Sequence, residues 1–307
     1  MYNRRNILIL GVTASGKGAL GFELARRLNG EIISIDSMKV YRRMDIGTAK
    51  PSPEKRRQVR HHLIDVVEPS EAFSVDRFLE LAAQAAQEIR AAGRQVVAVG
   101  GTAMYIKALL HGLFEGPGSD PALRRHLNDQ IDRLGSAALH ERLAHIDPEA
   151  AQRIHPNDRR RIVRALEVFE LTGRPISTLQ KQWERRAAED WFVIGLRRPK
   201  AVESSRINQR VKRMIEQGLL DEVKALLAEP KPMSKQARAA IGYAEIIACL
   251  DGQWSFEDAV EQIKINTRKL AKAQRTWFKT FRNVHWIDIT ETDTLETVTH
   301  SALNLLK

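Results

Sequence analysis

Only one cysteine, Cys249, occurs in 307 residues. A lone thiol excludes an internal disulfide framework and a cysteine-rich zinc site within the chain, and is expected as a small buried apolar group. The histidines offer no substitute: His61 and His62 are adjacent and the others are scattered without a liganding rhythm, so a dedicated zinc centre is not expected. No stretch approaches the roughly 18 consecutive apolar residues of a membrane span. "MYNRRN" leads directly into a candidate strand in place of a signal-peptide apolar region. The expected compartment is the cytoplasm, with no membrane partner. Internal repeats and low-complexity tracts are missing too. Acidic charge is in deficit, 38 Asp and Glu against 49 Lys and Arg, for a net charge of +11. That balance favours an acidic partner, nucleic acid first. With 43% hydrophobic and 28% charged residues the chain is globular in composition, long enough for one large domain or two modest ones.

What is present begins as alternating strand and helix. "NILIL" (6–10) is a short apolar run ending in a glycine-rich loop, and "GALGFELARRL" (18–28) places Leu20, Leu24 and Leu28 on one helical face. "EIISI" (31–35) predicts a second strand ending at Asp36, and "HLIDV" (62–66) a third. An amphipathic helix over 75–93 precedes "QVVAV" (95–99). Buried strands separated by helices imply an α/β fold, a parallel sheet with helices on both faces and its binding crevice at the carboxyl ends of the strands. The loop after Leu10, the Asp36 turn and "GGT" (100–102) fall at such ends.

The texture changes after Leu113. "FEGPGSDP" is a Gly/Pro-rich break, and from there to about residue 186 the pattern is helical and strongly charged. "DWFVIGL" (190–196) resumes an apolar strand, a long helix over 205–227 is broken or bent near Gly218, a further helix covers 255–281, and "VHWIDI" (284–289) is a last strand. The expected organisation is an α/β core in two parts, 1–117 and 189–307, with a helical domain inserted at 118–188. Helices packed continuously on one domain are the plainer alternative.

The loop "GVTASGKG" has the frame of a phosphate cradle. Backbone N–H groups converge on phosphate oxygens, the helix that follows starts with its positive dipole end toward them, and Lys17 adds a point charge. Glycine stands at position 18, where such loops carry a hydroxyl that helps hold magnesium. The amide nest survives this change; a metal ligand does not. Asp65 is readable as a metal ligand or as a turn carboxylate. Asp36 follows a buried strand, where it can take a proton from a nucleophile, bind metal, or simply cap a short helix. "NDRRRIVRALEVF" carries Arg159, Arg160, Arg161 and Arg164 on a helix whose apolar side includes Ile162, Leu166 and Phe169. The arginines suit nucleic-acid phosphates, or form a solvated face paired with Asp158 and Glu167.

These segments, together with "GEIISIDSMKVYRRMDIGTAKP", "HHLIDVVEPSEAFSV", "VGGTAMYIKALLHGL", "RINQRVKRMIEQGLLDEV", "AIGYAEI" and "TRKLAKAQRTWFK", resemble the tRNA dimethylallyltransferase (tRNA isopentenyltransferase) family through most of the chain. The resemblance implies a P-loop NTPase-like core and transfer of a dimethylallyl group from dimethylallyl diphosphate to N6 of adenosine 37 in a tRNA anticodon stem-loop, releasing diphosphate. It gives Asp36 as general base, Thr102 as a residue beside the reacting centre, and Lys17 with Gly11, Thr13, Ala14, Ser15, Gly16 and Gly18 as the diphosphate cradle. Arg210 matches a diphosphate-binding arginine, with Arg206 one turn away as its competitor. The matching RNA-contacting positions are Asp36, Ser37, Met38, Lys39, Thr102, Arg124, Arg160, Arg161, Ile162, Val163, Arg164, Arg238, Gly242 and Tyr243. Tyr243, Trp277 and Phe278 are candidates to stack on a flipped base or to fill the core. Mg2+ is the expected cofactor, its ligands left open by Gly18, and a monomer is the expected state. Lys39 stands where the family usually has glutamine and Ala273 where it has arginine, which puts RNA and metal dependence in question. A P-loop small-molecule kinase and a catalytically weakened RNA-binding relative are the alternatives.

Overall fold

A computed structural model describes residues 5–113, 116–180 and 191–307. Within them lie six strands: β1 (Asn6–Gly11), β2 (Gly30–Ile35), β3 (His61–His62), β4 (Gln95–Gly100), β5 (Trp191–Arg197) and β6 (Val284–Asp288). They form one parallel sheet in the order β3-β2-β4-β1-β5-β6. All six residues of β1 are buried because it is hydrogen-bonded on both sides, Leu10 lying opposite Gly100 of β4 and Gly195 of β5. Ile7 and Ile9 pack with Leu20 and Leu24 of the helix Lys17–Arg27, and with Val97, Ile194 and Leu196 of the adjoining strands. Burying each such side chain contributes about 1.5–3 kcal/mol. That packing fixes where the loop between β1 and its helix emerges.

The helix Val75–Ala91 follows its pattern: Ser74 caps it by accepting the Arg77 N–H, and Phe78, Ala82, Ala85, Ala86 and Ile89 form the buried stripe. The long helix anticipated over 205–227 is two, Lys200–Glu216 and Leu219–Leu227. Gly218, at φ 95°, supplies the left-handed residue that separates them. The third strand is shorter than its apolar run suggests. Leu63 and Asp65 both adopt positive φ, turning the chain so that the Val66 and Val67 amides donate to the Val40 carbonyl. Cys249, expected in the core, is only half-buried near the end of the helix Tyr243–Leu250.

By contacts the chain divides into two compact units, Met1–Leu110 with Ala188–Lys307, and His111–Ala187. The described part of the second unit is helical: Pro121–Leu134, Ser136–Ile146, Pro148–Arg153, Arg159–Thr172 and Ile176–Leu179. Asp120, Asp147 and Asp158 cap three of these helices through their carboxylates. Leu127, Leu139, Leu143, Ile162, Leu166 and Val168 give the unit a core of its own. The charged helical pattern read over 181–186, and Asp190 at the start of the fifth predicted strand, lie outside the described residues. Among those described, no helix is long and apolar enough to cross a membrane.

Candidate active site

The carboxyl ends of β1, β2, β4 and β5 deliver the cradle, Asp36, Thr102 and Arg198 to the same edge of the sheet. Ala14 at φ 61° and Gly16 at φ 102° bend the loop, and the helix begins at Lys17. Two guanidinium groups hold the loop from outside. Arg206 Nε donates to the Ala14 carbonyl at 2.8 Å, and Arg198 Nε to the Ser15 carbonyl at 3.0 Å. Peptide planarity then turns the Gly16 N–H away from Arg198, as an amide nest for an anion requires. Arg206, the competitor of Arg210, is thus engaged with the loop backbone. Ser15 Oγ is buried and has no hydrogen-bond partner among the described residues.

Lys17 Nζ donates to the Val12 carbonyl at 3.1 Å. Burial, and then the neighbouring charges of Arg210 and Lys39, push its pKa down to about 7, with Asp36 opposing. Burial also lowers Lys39, where Asp36 opposes and Arg210 adds to the fall. Arg210, whose Nη2 reaches the Thr48 carbonyl at 3.5 Å, is likewise lowered by burial against the attraction of Asp36. Three cations therefore share one carboxylate, an excess of positive potential suited to a polyanion.

Asp36 Oδ1 accepts the Met38 and Lys39 N–H groups at 2.9 and 3.2 Å, which is the capping geometry. Its Oδ2 takes no hydrogen bond among the described residues, so the same side chain caps the turn and presents an oxygen. Thr102 Oγ1 accepts the Ser37 N–H at 3.1 Å, tying the ends of β4 and β2 together. Asp65 is a turn carboxylate whose charge is matched by Lys50 at 2.6 Å and Arg56 at 2.5 Å, which favours the structural of its two readings.

Two residues that the sequence reading passed over hold the site together. Gln274, on the helix Phe256–Phe278, accepts the Thr13 N–H and donates to the Gly101 carbonyl, both at 2.8 Å. Arg198 is the other; an arginine directly after an apolar strand in a phosphate-binding sheet was the signal available for it. Next to the loop, a cavity of about 330 Å³ is lined by Val12, Leu196, Glu203, Arg275 and Phe278. None of Asp36, Lys17, Thr102 or Arg210 lines it, so it is a different space.

The positions matched to RNA contact divide sharply. Tyr243 is fully buried, its hydroxyl donating to Glu222 Oε1 at 2.6 Å. Glu222 also accepts the Asp45, Ile46 and Gly47 amides, so Tyr243 braces a loop and has no face for a base. Gly242 is buried at φ 97°, while Arg238 is exposed. Phe278 is in the core; Trp277 is partly exposed beneath Lys107, 5.7 Å from its ring centre. In the second unit Ile162 and Val163 point into the core, which removes their side chains from any RNA-facing surface. Arg124 and Arg164 both bind Glu167, at 2.8 and 2.6 Å, and that carboxylate is wholly buried. Arg160 and Arg161 are exposed, Arg161 lying 3.4 Å from Asp158.

Among the described residues no three His, Cys, Asp or Glu side chains group as metal ligands. The carboxylate in the cation cluster is Asp36, and Gly18 supplies no hydroxyl. This donor set does not fit a protein-held metal.

A parallel sheet with a phosphate cradle after the central strand β1, and a carboxylate after β2 on the far side of β4, defines a P-loop-like α/β protein. The family model described as "IPP transferase" matches residues 39–281, and the chain belongs to that family. It is 48% identical over 286 residues to a tRNA dimethylallyltransferase of Geobacter metallireducens, covering 92% of each chain. It is 44% identical over 283 residues to one of Thermotoga neapolitana, again covering 92% of each. A crystal structure of the full-length tRNA isopentenylpyrophosphate transferase of Bacillus halodurans aligns with TM-score 0.72 and 41% identity, covering 99% of this chain and 97% of that one. A eukaryotic dimethylallyltransferase acting on tRNA aligns with TM-score 0.82 and 28% identity, covering 98% of this chain and 78% of that one.

Proposed function

We propose a division of labour for the reaction this chain catalyses, transfer of a dimethylallyl group from dimethylallyl diphosphate to N6 of adenosine 37 in tRNA. A bond forms between N6 and C1 of the donor as the bond from C1 to the bridging oxygen breaks. Diphosphate departs with the electron pair, and the N6 proton passes to Asp36 Oδ2. The observation that carries this reading is the link from Thr102 Oγ1 to the Ser37 amide, which sets a base-bearing turn beside a cation-lined cradle. The Ala14, Gly16, Lys17 and Gly18 amides, with the Lys17 and Arg210 side chains, hold the diphosphate, whose charge grows in the transition state; fixed donors act most strongly there. Thr13 contributes from its side chain, because its N–H is taken by Gln274. Lys39 adds positive charge to the same side.

The unit His111–Ala187 is the inserted tRNA-binding domain in this reading, Arg160 and Arg161 meeting backbone phosphates while Arg124 and Arg164 shape the helix that carries them. Were magnesium to accompany the diphosphate, the diphosphate oxygens would have to supply its ligands, since Gly18 offers no hydroxyl and the described residues form no metal-ligating group. The chain acts as a monomer in the cytoplasm.

The test incubates the protein with magnesium, labelled dimethylallyl diphosphate and unmodified anticodon stem-loops carrying adenosine at positions 36 and 37, beside a parallel reaction with labelled ATP as the donor. Label in the RNA is expected. Binding without transfer would leave an RNA-binding relative, and phosphoryl transfer from ATP a kinase.

A further inference from the structure

The β1–β4 ladder ends at Leu10 opposite Gly100. Beyond it the two chains part, β1 into the cradle and β4 into the turn bearing Thr102. The Thr13 N–H and the Gly101 C=O face this fork, and the Gln274 side chain enters it, 8% exposed. Its amide accepts from one prong and donates to the other, both bonds 2.8 Å long. Geometrically it replaces the peptide group that another rung of the ladder would have supplied. The orientation is fixed by chemistry, since Thr13 offers only a donor there and Gly101 only an acceptor. Gly101 is small for the same reason: a Cβ on it would lie 2.6 Å from Gln274 Nε2 and 3.4 Å from Lys17 Nζ.

We propose that Gln274 is a positioning residue for prenyl transfer, holding the fork at the width that aligns the diphosphate cradle with Asp36 and Thr102. The inference rests on the functional reading above. One prong carries Thr13 to Lys17, which fix the leaving group. The other carries Thr102, whose hydroxyl holds the Ser37 amide next to Asp36. Gln274 touches neither substrate in this scheme; it spans the two groups that do. Displacement at C1 needs nucleophile, carbon and leaving group in line, and a misplacement of roughly 1 Å costs on the order of a hundredfold in rate. A bridge that spans the fork acts on this alignment more than on either binding step, because the amide nest and the RNA-facing arginines are built without it.

The experiment compares wild type with Gln274→Met, which keeps length and loses both bonds, and Gln274→Asn, too short to span the fork. Each is measured for melting temperature, affinity for inorganic pyrophosphate, affinity for the unmodified stem-loop, and single-turnover transfer at saturating donor and RNA. The expected result is a fall in transfer rate of roughly 10- to 100-fold, with both affinities within about threefold of wild type. A rate per folded molecule equal to wild type would overturn the proposal, and so would parallel losses in rate and both affinities, the mark of a purely structural residue. If the Met variant does not fold, the Asn variant decides by the same criteria. Wild type serves as the separate control: its failure to transfer would sink the functional reading, whereas active wild type with an unimpaired variant sinks only the role of Gln274.

Discussion

The Asp36 carboxylate accepts the Met38 and Lys39 amides through Oδ1 alone. One oxygen shapes the turn and the other is left for chemistry, so two substitutions separate the roles. Asp36→Asn keeps the capping oxygen and should lower single-turnover transfer by roughly 10²- to 10⁴-fold with stability nearly unchanged. Asp36→Ala should lose transfer and also about 1 kcal/mol of stability, measured by chemical denaturation. An Asn variant with near-normal transfer would assign proton removal elsewhere.

Lys17 has its pKa pushed down to about 7. A bound diphosphate favours the charged amine, so above pH 7 binding must carry a proton onto it, and affinity should fall as pH rises. Calorimetry of pyrophosphate binding at pH 8 in buffers of different ionisation enthalpy should show this uptake, reduced in Lys17→Met. The linkage to folding has the opposite sense. The unfolded lysine titrates near its ordinary value, so relief from burying its charge grows as pH rises through 7 toward 10.5 and is lost as pH falls back.

Glu167 is a buried acceptor for Arg124, Arg164 and the Asp120 amide. Glu167→Gln should destabilise the protein by about 1.5–3 kcal/mol through weakened charged hydrogen bonds. Arg124→Ala should lower the melting temperature as well. Arg160→Ala with Arg161→Ala should leave melting alone, weaken stem-loop binding, and reduce the slope of log affinity against log salt by about 1–2. Equal effects from both arginine groups would contradict this division.

Tyr243→Phe removes one hydrogen bond to Glu222 and should cost about 1 kcal/mol. Stem-loop affinity should not change. A selective loss of RNA binding with stability intact would mean that this buried ring contacts RNA after all.

A Cβ built on Gly18 meets nothing within 4 Å, so Gly18→Thr should fold, with up to about 0.5 kcal/mol gained from helix propensity. The added hydroxyl should lower the magnesium concentration at half-maximal transfer. An unchanged magnesium titration would show that position 18 does not face the metal.

The parts of the site that were legible in the chain are those encoded locally. "NILIL" followed by the glycine loop and a leucine-striped helix announces strand, cradle and helix because the periods change at the loop. Asp36 and Thr102 were legible as residues after buried strands. Their union at 3.1 Å through Ser37 needed the β2–β4 pairing as well. Gln274 reaches Thr13 across 261 positions, a contact between side chain and backbone that leaves no periodic trace. The third strand was overread because an apolar run does not reveal that Leu63 and Asp65 turn to positive φ. Tyr243 was placed with the RNA contacts by family likeness, whereas the carboxylate that holds it is contributed by another helix, Leu219–Leu227.

The outward grip of Arg198 and Arg206 on the Ser15 and Ala14 carbonyls has a consequence for how the donor binds. The cradle takes its shape from the protein's own cations and does not wait for phosphate to impose it. Little loop entropy then remains to be lost on association. Donor capture becomes an encounter with a preorganised surface.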